Sequence, residues 1–377
     1  MIKVLNIISD SNVGGAGRLL VNYLHNFDRT RFDVSVALPR GSELKPFIDA
    51  EGYPVYELDG VRDKSFDMKA VKELRKLIKT IGPDIVHTHS AFAGRLAAYL
   101  TRVPCRFYTR HSAFPPSRKL TTFPGKQING LVNNRLATEI VAVAQAAKDN
   151  LTDTGVKDEK ITVIINGVEE VRRTDPAENE KLKESLGIAK EDFVCGISAR
   201  LEEYKGHRYL LDTAKYVTDR KRATFFLIIG GGSCEEDLKK QAEKLGITDR
   251  VCFTGFVKDV APYYNIMDLN LNCSIGTETS SLALSEGFSL GIPAVATTYG
   301  GNPYMVTDGI NGFLVPERDS EAMGEKILQI ENDRELYEKL SAGARQKYEE
   351  KFTAAAMTRQ LEALYEKSYR EHVKNVR

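Results

Sequence analysis

The sequence predicts an α/β protein with two doubly wound parallel sheets, one in each half of the chain. Three observations carry that prediction. Short apolar strands alternate with helical stretches through the first half, a second such series starts near residue 193, and a charged stretch separates the two. Near-continuous apolar strands alternating with helices mark parallel sheets covered on both faces. A chain of 377 residues is long for one core and comfortable for two domains.

The first series places strands over residues 3–9, 32–38, 55–58, 85–88, 106–109 and 140–143, with helices over 66–81 and 91–101 between them. The second places strands over 193–198, 224–229, 251–254, 269–272 and 294–296. Between the series, Asn166-Gly167-Val168 is a turn signal, and residues 170–190 are charged with few large apolar side chains. The linker is placed there, giving domains 1–168 and 169–353. The last stretch, from residue 353, is helix-forming and lines up Met357, Leu361, Leu364 and Tyr365 on one face. No short repeat and no low-complexity tract is visible.

Composition narrows the function classes. A net charge of +1 suggests neither nucleic acid nor an acidic partner. The segment from Met1 to Ile8 reads as a first strand rather than a leader, and no apolar run approaches the roughly 20 residues of a spanning helix. Five scattered cysteines without a C-x-x-C pair suit a reducing compartment and are read as small core residues. A cytosolic protein is expected.

The most informative stretch is L-N-C-S-I-G-T-E-T-S-S-L-A-L-S-E-G-F-S-L-G-I-P-A-V-A-T-T-Y-G-G, residues 271–301. A helix starting near Thr279 puts Glu278 at its mouth and Glu286 in its second turn, and it closes at Gly291. Thr279, Ser280 and Ser281 are good N-terminal residues, and the free N–H groups of such an end suit a phosphate or a sugar hydroxyl. Two glutamates on a capped surface helix are the plain alternative for any isolated pair.

Gly14-Gly15-Ala16-Gly17-Arg18 follows the first strand and opens a helix, so backbone N–H groups there face whatever binds. It is neither G-x-G-x-x-G nor a Walker loop, and a tight strand-to-helix turn explains it equally well. His87, His89 and His111 lie at strand ends; imidazoles two apart can share a zinc, but the three are not read as a metal site. For His87, a hydrogen-bonded strand-end histidine is the preferred reading. Arg200 and Lys205 follow the strand 193–198: a guanidinium can grip a diphosphate with two N–H groups, and an ammonium adds a point charge.

From Ser90 to Lys148 the chain carries Arg95, Arg102, Arg106, Arg110, Arg118, Lys119, Lys126, Arg135 and Lys148 against one acid, Glu139. Within it, Pro115 to Pro124 mixes basic and apolar groups. A solvated face or an electropositive wall for a diphosphate explains this as well as contact with anionic lipid does.

Taken together, the E-x7-E spacing, the G-I-P-A-V-A-T strand, Gly300-Gly301-Asn302-Pro303 and the Arg200-Leu201…Lys205-Gly206 pattern resemble retaining glycosyltransferases of family 4. The resemblance spans essentially the whole chain. It implies the GT-B architecture: two Rossmann-like doubly wound domains facing across a cleft, ligands outside the carboxyl ends of the strands, and a terminal helix 354–377 that crosses back onto the first domain. A coiled-coil contact is the competing reading of that helix.

By the same resemblance, Glu278 orients the donor sugar, His111 holds its far side, and Glu286 binds the ribose. Arg200 and Lys205 neutralise the departing diphosphate, aided by N–H groups near Ser280, Ser281 and Leu282. Gly14 and Gly15 lie against the donor phosphates and the acceptor side. The turn Gly230–Gly232 and the stretch Phe253 to Val257, a loop near the base, match two further landmarks. This chain reads E-T-S-S-L where the family usually has E-G-F-G-L, which bears on the sugar more than on the chemistry.

The implied reaction moves a sugar from a nucleotide-sugar, with UDP favoured, to an acceptor hydroxyl in surface polysaccharide or glycolipid assembly. No cofactor is expected. No D-x-D is placed to hold a metal on the diphosphate, so metal independence is expected too. The expected partners are the nucleotide-sugar and a sugar or lipid-linked acceptor, with peripheral contact at the inner membrane face as one reading of the basic stretch. A nucleotide-sugar epimerase and a non-catalytic nucleotide-sugar-binding subunit are the alternatives.

Overall fold

A computed structural model describes residues 1–11, 13–60 and 67–373. The chain forms two compact units, one of Met1–Gly167 with Ala354–Arg377 and the other of Val168–Thr353. Phe66, expected to open the helix 66–81, and residues 374–377 of the expected terminal helix lie outside the described residues.

The first unit holds β1 (Ile2–Ile8), β2 (Phe32–Pro39), β3 (Val55–Leu58), β4 (Ile85–His89), β5 (Cys105–Arg110), β6 (Glu139–Ala142) and β7 (Ile161–Val163). They form one parallel sheet in the order β3-β2-β1-β4-β5-β6-β7. Strand order reverses between β1 and β4, the topological switch at which such sheets bind ligands.

One face of this sheet packs Val4, Ile8, Phe107 and Val141 against the helix Gly15–Asn26 and the terminal helix Ala354–His372. On the terminal helix, Met357, Leu361, Leu364 and Tyr365 are all buried in that core. The other face packs Leu5, Ile7 and Val86 against the helix Met68–Ile81, whose Ala70, Val71, Leu74 and Ile78 fall on one side.

The second unit holds β8 (Phe193–Ser198), β9 (Thr224–Ile229), β10 (Val251–Gly255), β11 (Leu269–Asn272), β12 (Ala294–Thr297) and β13 (Gly312–Val315). Their order is β10-β9-β8-β11-β12-β13, again all parallel, with its switch between β8 and β11. Cores cover both faces, one built around Leu211, Phe226 and Ile327, the other around Phe225, Leu227 and Tyr264.

Three details depart from the sequence reading. Strands β7 and β13 were not expected; they are three and four residues long and lie at the edges of their sheets. The charged stretch 170–190 is not all linker, because Pro176–Ser185 is a helix. Its Asp175 accepts the Ala177 N–H and Pro176 fills the first turn, while none of its residues is buried. Finally, the helix expected from Thr279 begins at Leu282, with Ser281 as its N-cap. The backbone before it is held elsewhere: the Gly301 N–H donates to the Glu278 carbonyl at 3.2 Å.

Among the described residues no helix is long and apolar enough to cross a membrane.

Candidate functional site

In the second unit, the loops after β8 and β11 meet at the switch point. The loop after β8 carries Arg200 and Lys205 and ends at Gly206, which caps the helix His207–Thr218 in a left-handed conformation, φ 73°. A side chain at Gly206 would collide with the Cys273 carbonyl, so glycine lets this loop lie directly on the end of β11. That approach brings the Lys205 ammonium 2.9 Å from Glu278 Oε2.

Glu278 is buried at 7% exposure. Its Oε2 accepts from Lys205 Nζ at 2.9 Å, Asn272 Nδ2 at 3.0 Å and Ser274 Oγ at 2.8 Å. Among the described residues no hydrogen bond reaches Oε1. Burial alone would raise this carboxyl; the Lys205 charge and the bonds from Asn272, Lys205 and Ser274 outweigh it and hold the group below the usual carboxylate range. The result is an anchored anion with one oxygen spent on the protein.

Asn272 is itself fixed, its Oδ1 accepting from the Ser274 N–H and from Asn302 Nδ2, which also donates to Thr297 Oγ1. Asn302 opens the short helix Asn302–Met305 just after Gly300-Gly301. Glu278 and the segment Gly301-Asn302 are therefore part of one hydrogen-bonded assembly. Sequence reasoning named Glu278 and missed Asn272, Ser274 and Asn302; a polar residue at the carboxyl end of a strand, where such sheets bind ligands, was the available signal for Asn272.

Arg200 is exposed, has no carboxylate partner among the described residues, and lies 5.9 Å from the Tyr204 ring. Ser281 and Ser280 are buried, and Ser281 Oγ accepts from the Leu284 N–H. That cap leaves the N–H groups of Leu282 and Ala283 without helical partners at the helix start. Glu286 sits half-buried in the second turn.

In the first unit, the switch between β1 and β4 has Gly14 and Gly15 on one side. Gly14 is the N-cap of the helix Gly15–Asn26 and supplies no side-chain cap. A Cβ on either glycine would meet nothing within 4 Å. Packing therefore does not demand glycine at either position.

On the other side of that switch His87 and His89 end β4, and His111 follows β5. His87 is wholly buried, its Nδ1 2.5 Å from the Tyr365 hydroxyl and its Nε2 2.6 Å from Thr109 Oγ1. His89 Nδ1 lies 3.1 Å from His111 Nε2. Burial pushes His87 down to about 3 and His111 to about 4, and places His89 well below its ordinary value. All three rings are neutral at physiological pH. Among the described residues no group of three or more His, Cys, Asp or Glu is placed to hold a metal ion.

The basic stretch divides in two. Arg95 is buried against the Tyr108 ring and donates to Asn133, Arg106 donates to the carbonyls of Leu136 and Val103, Arg135 donates to Tyr99, and Lys148 pairs with Asp158. These charges hold the fold. Arg118 and Lys119 are exposed on the short helix Arg118–Thr121, and Lys126 lies in the first turn of the helix Gly125–Leu136. Around them stand Phe114, Leu120, Phe123, Ile128 and Leu131, exposed by 49, 40, 82, 59 and 66%.

Residues 178–347 match the family model of glycosyl transferases group 1, and residues 13–172 match that of glycosyltransferase family 4. The chain is 29% identical over 336 residues to the Bacillus subtilis (strain 168) protein EpsD, covering 86% of each. It is 26% identical over 347 residues to the Escherichia coli UDP-Gal:alpha-D-GlcNAc-diphosphoundecaprenol alpha-1,3-galactosyltransferase, covering 89% of each. The crystal structure of Anabaena Alr3699/HepE in complex with UDP and glucose superposes with a TM-score of 0.83 at 22% identity, over 97% of this chain and 100% of that one. The fold is GT-B, with a Rossmann-like sheet in each unit. Two family models meeting end to end, on two switch-point sheets with this ionic assembly, show that the chain belongs to the glycosyl transferases group 1, the family 4 glycosyltransferases.

Proposed function

We propose that the protein is a retaining glycosyltransferase that takes its sugar from a UDP-sugar and passes it to an acceptor hydroxyl in surface polysaccharide or glycolipid assembly. The observation that carries the reading is the Lys205–Glu278–Asn272–Ser274 assembly at the β8/β11 switch, with the exposed Arg200 guanidinium on the same loop as Lys205. A leaving diphosphate needs fixed positive charge where its own charge develops, and preorganised charge is commonly the largest catalytic contribution. Arg200 and Lys205 supply it, together with the N–H groups of Leu282 and Ala283.

Glu278 orients the donor sugar through its uncommitted oxygen, and Glu286 holds the ribose. His111 contacts the donor sugar through a neutral ring. Gly14 and Gly15 leave backbone N–H groups clear for a phosphate or for the acceptor, which accounts for glycine where packing does not require it. Charge compensation by side chains and helix N–H groups makes a metal unnecessary for departure of the diphosphate. UDP is favoured because the E. coli relative is named for UDP-Gal and the HepE structure for UDP and glucose. A lipid-linked acceptor is supported by that relative's diphosphoundecaprenol substrate. The exposed apolar and basic group around Phe123 supports a cytoplasmic protein touching the inner membrane face.

Calorimetric titration with UDP, GDP and ADP, with magnesium and with chelator, tests this reading. UDP binding without metal, lost on Arg200→Ala and kept on Glu278→Ala while transfer is lost, is expected. Product analysis should return the donor's anomeric configuration. Binding that requires magnesium, or an inverted product, would contradict the proposal.

A further inference from the structure

The alternation of side chains along parallel strands puts Val4, Asn6 and Ile8 of β1, His87 and His89 of β4, and Phe107 and Thr109 of β5 on one face. Within that apolar face runs a polar row. Asn6 Oδ1 lies 3.3 Å from His89 Nε2, and His89 Nδ1 lies 3.1 Å from His111 Nε2. Asn6 and His89 are both 1% exposed, so neither exchanges its partner for water. The His89 ring is clamped from below by His87, centroids 4.5 Å apart and planes 27° from parallel. His87 is in turn tied at both nitrogens, to Tyr365 and Thr109.

A neutral imidazole has one N–H and one lone pair. The carbonyl oxygen of Asn6 can only accept, so His89 must carry its proton on Nε2 and present a lone pair at Nδ1. That lone pair can be met only by an N–H on His111 Nε2. The remaining His111 nitrogen, Nδ1, is then a lone pair, and it has no hydrogen-bond partner among the described residues.

We propose that His89, keyed by Asn6, is a positioning residue that fixes His111 as the Nε2–H tautomer and so presents Nδ1 as a hydrogen-bond acceptor. Resting on the donor-site reading above, the group this ring takes is a sugar hydroxyl that donates, and a donor analogue with fluorine at that carbon is discriminated against. The Asn6 amide nitrogen is buried with no partner among the described residues. Asn6 is thus held in the row by its oxygen alone.

The test is ring-nitrogen NMR of the full chain labelled with 15N-histidine, His111 being assigned through His111→Gln. The wild-type protein should show His111 protonated at Nε2 only. His89→Phe keeps a stacking ring but removes both nitrogens, and should move the His111 signals toward a mixture of tautomers. Asn6→Asp keeps the accepting oxygen and should preserve the tautomer, whereas Asn6→Leu should not. In turnover, His89→Phe should lower kcat/KM for the donor by about tenfold, the equivalent of one hydrogen bond, with UDP affinity unchanged. A wild-type His111 protonated at Nδ1, or ring signals indifferent to His89→Phe, overturns the relay. The ring signals are read without substrate, so the two readings fail separately. If they behave as stated while His111→Ala leaves transfer intact, the relay stands and the sugar contact of His111 falls.

Discussion

The Lys205 ammonium and the Glu278 carboxylate, 73 positions apart in sequence, meet at 2.9 Å where the loops after β8 and β11 converge. Their side chains are 19 and 8% exposed, so each charge depends on the other to remain in a largely dry setting. Removing one partner of a buried pair leaves an uncompensated charge and costs roughly 3–5 kcal/mol, more than the intact pair contributes. Lys205→Met should therefore lower the unfolding free energy by about 3 kcal/mol, near the bottom of that range because the lysine is partly wetted. Glu278→Gln should cost less, and the double variant should recover much of the loss while staying inactive. Urea unfolding of the four proteins reads the coupling; singles that simply add would remove the pair from this role.

The same pair fixes a direction with pH. Burial raises Glu278, but the Lys205 charge and three hydrogen bonds bring it below the ordinary carboxylate value. Its stabilising contribution is fully present above the ordinary glutamate range and fades as pH falls through the depressed folded value. The histidines act in a higher window. His87 is lowered to about 3 and His111 to about 4, so an unfolded chain takes up protons below about 6.5 that the folded one refuses. The first unit should lose stability progressively from pH 6.5 toward 4, by up to roughly 1.4 kcal/mol per pH unit for each such ring. Thermal melts across that range check it, and His87→Gln should flatten the slope. A pH-independent melt above 4 would contradict the neutral, buried rings.

Much of this was legible in the sequence, and the rest was hidden for identifiable reasons. Strand-helix alternation marked eleven of the strands, because a strand buried on both faces is an apolar run whatever its neighbours. Arg200, Lys205 and Glu278 stood out only through the pattern they share with the family, since each taken alone reads as an ordinary surface charge. The start of the helix at Leu282 was not legible. Thr279, Ser280 and Ser281 are all competent caps, and the choice falls to Ser281 because Gly300 and Gly301 press against the backbone of Glu278 and Thr279. Asn272, Ser274, Asn6 and His89 were not assigned roles for a related reason. Each works by the direction of a hydrogen bond across neighbouring strands or loops, which only the register of the sheet supplies.

Gly15 separates ligand demands from folding demands. It is the first residue of the helix Gly15–Asn26, and a methyl group there would meet nothing within 4 Å. Alanine is favoured over glycine in a helix interior by up to about 1 kcal/mol, so Gly15→Ala should fold with equal or slightly higher stability. If the N–H groups of this turn face the donor or the acceptor, the added methyl should still cut transfer by tenfold or more, about 1.4 kcal/mol. Melting temperature and turnover, measured on one preparation, decide it. A variant as active as the wild type would make the glycine a simple strand-to-helix turn.

The apolar and basic group around Phe123 makes a prediction about surfaces. Phe123, Ile128 and Leu131 are each more than half exposed, and Ile128 and Leu131 sit three apart on one side of the helix Gly125–Leu136. The opposite side is fixed by Gly130, whose Cα packs on the Gly155 backbone, so the helix cannot roll to hide them. Arg118, Lys119 and Lys126 border these side chains in sequence, and basic groups at an anionic leaflet gain about 1 kcal/mol each. Binding to phosphatidylglycerol vesicles should exceed binding to phosphatidylcholine vesicles and weaken with salt. Replacing the three basic residues by Gln should cost about a hundredfold in partitioning to the anionic vesicles, roughly 3 kcal/mol. Phe123→Ser with Ile128→Ser should reduce binding to both kinds, because apolar burial does not depend on lipid charge. Nucleotide binding should be the same in all these variants. Equal partitioning of wild type and variants would leave the exposed aromatic and aliphatic groups to an acceptor chain or a protein partner rather than to the bilayer.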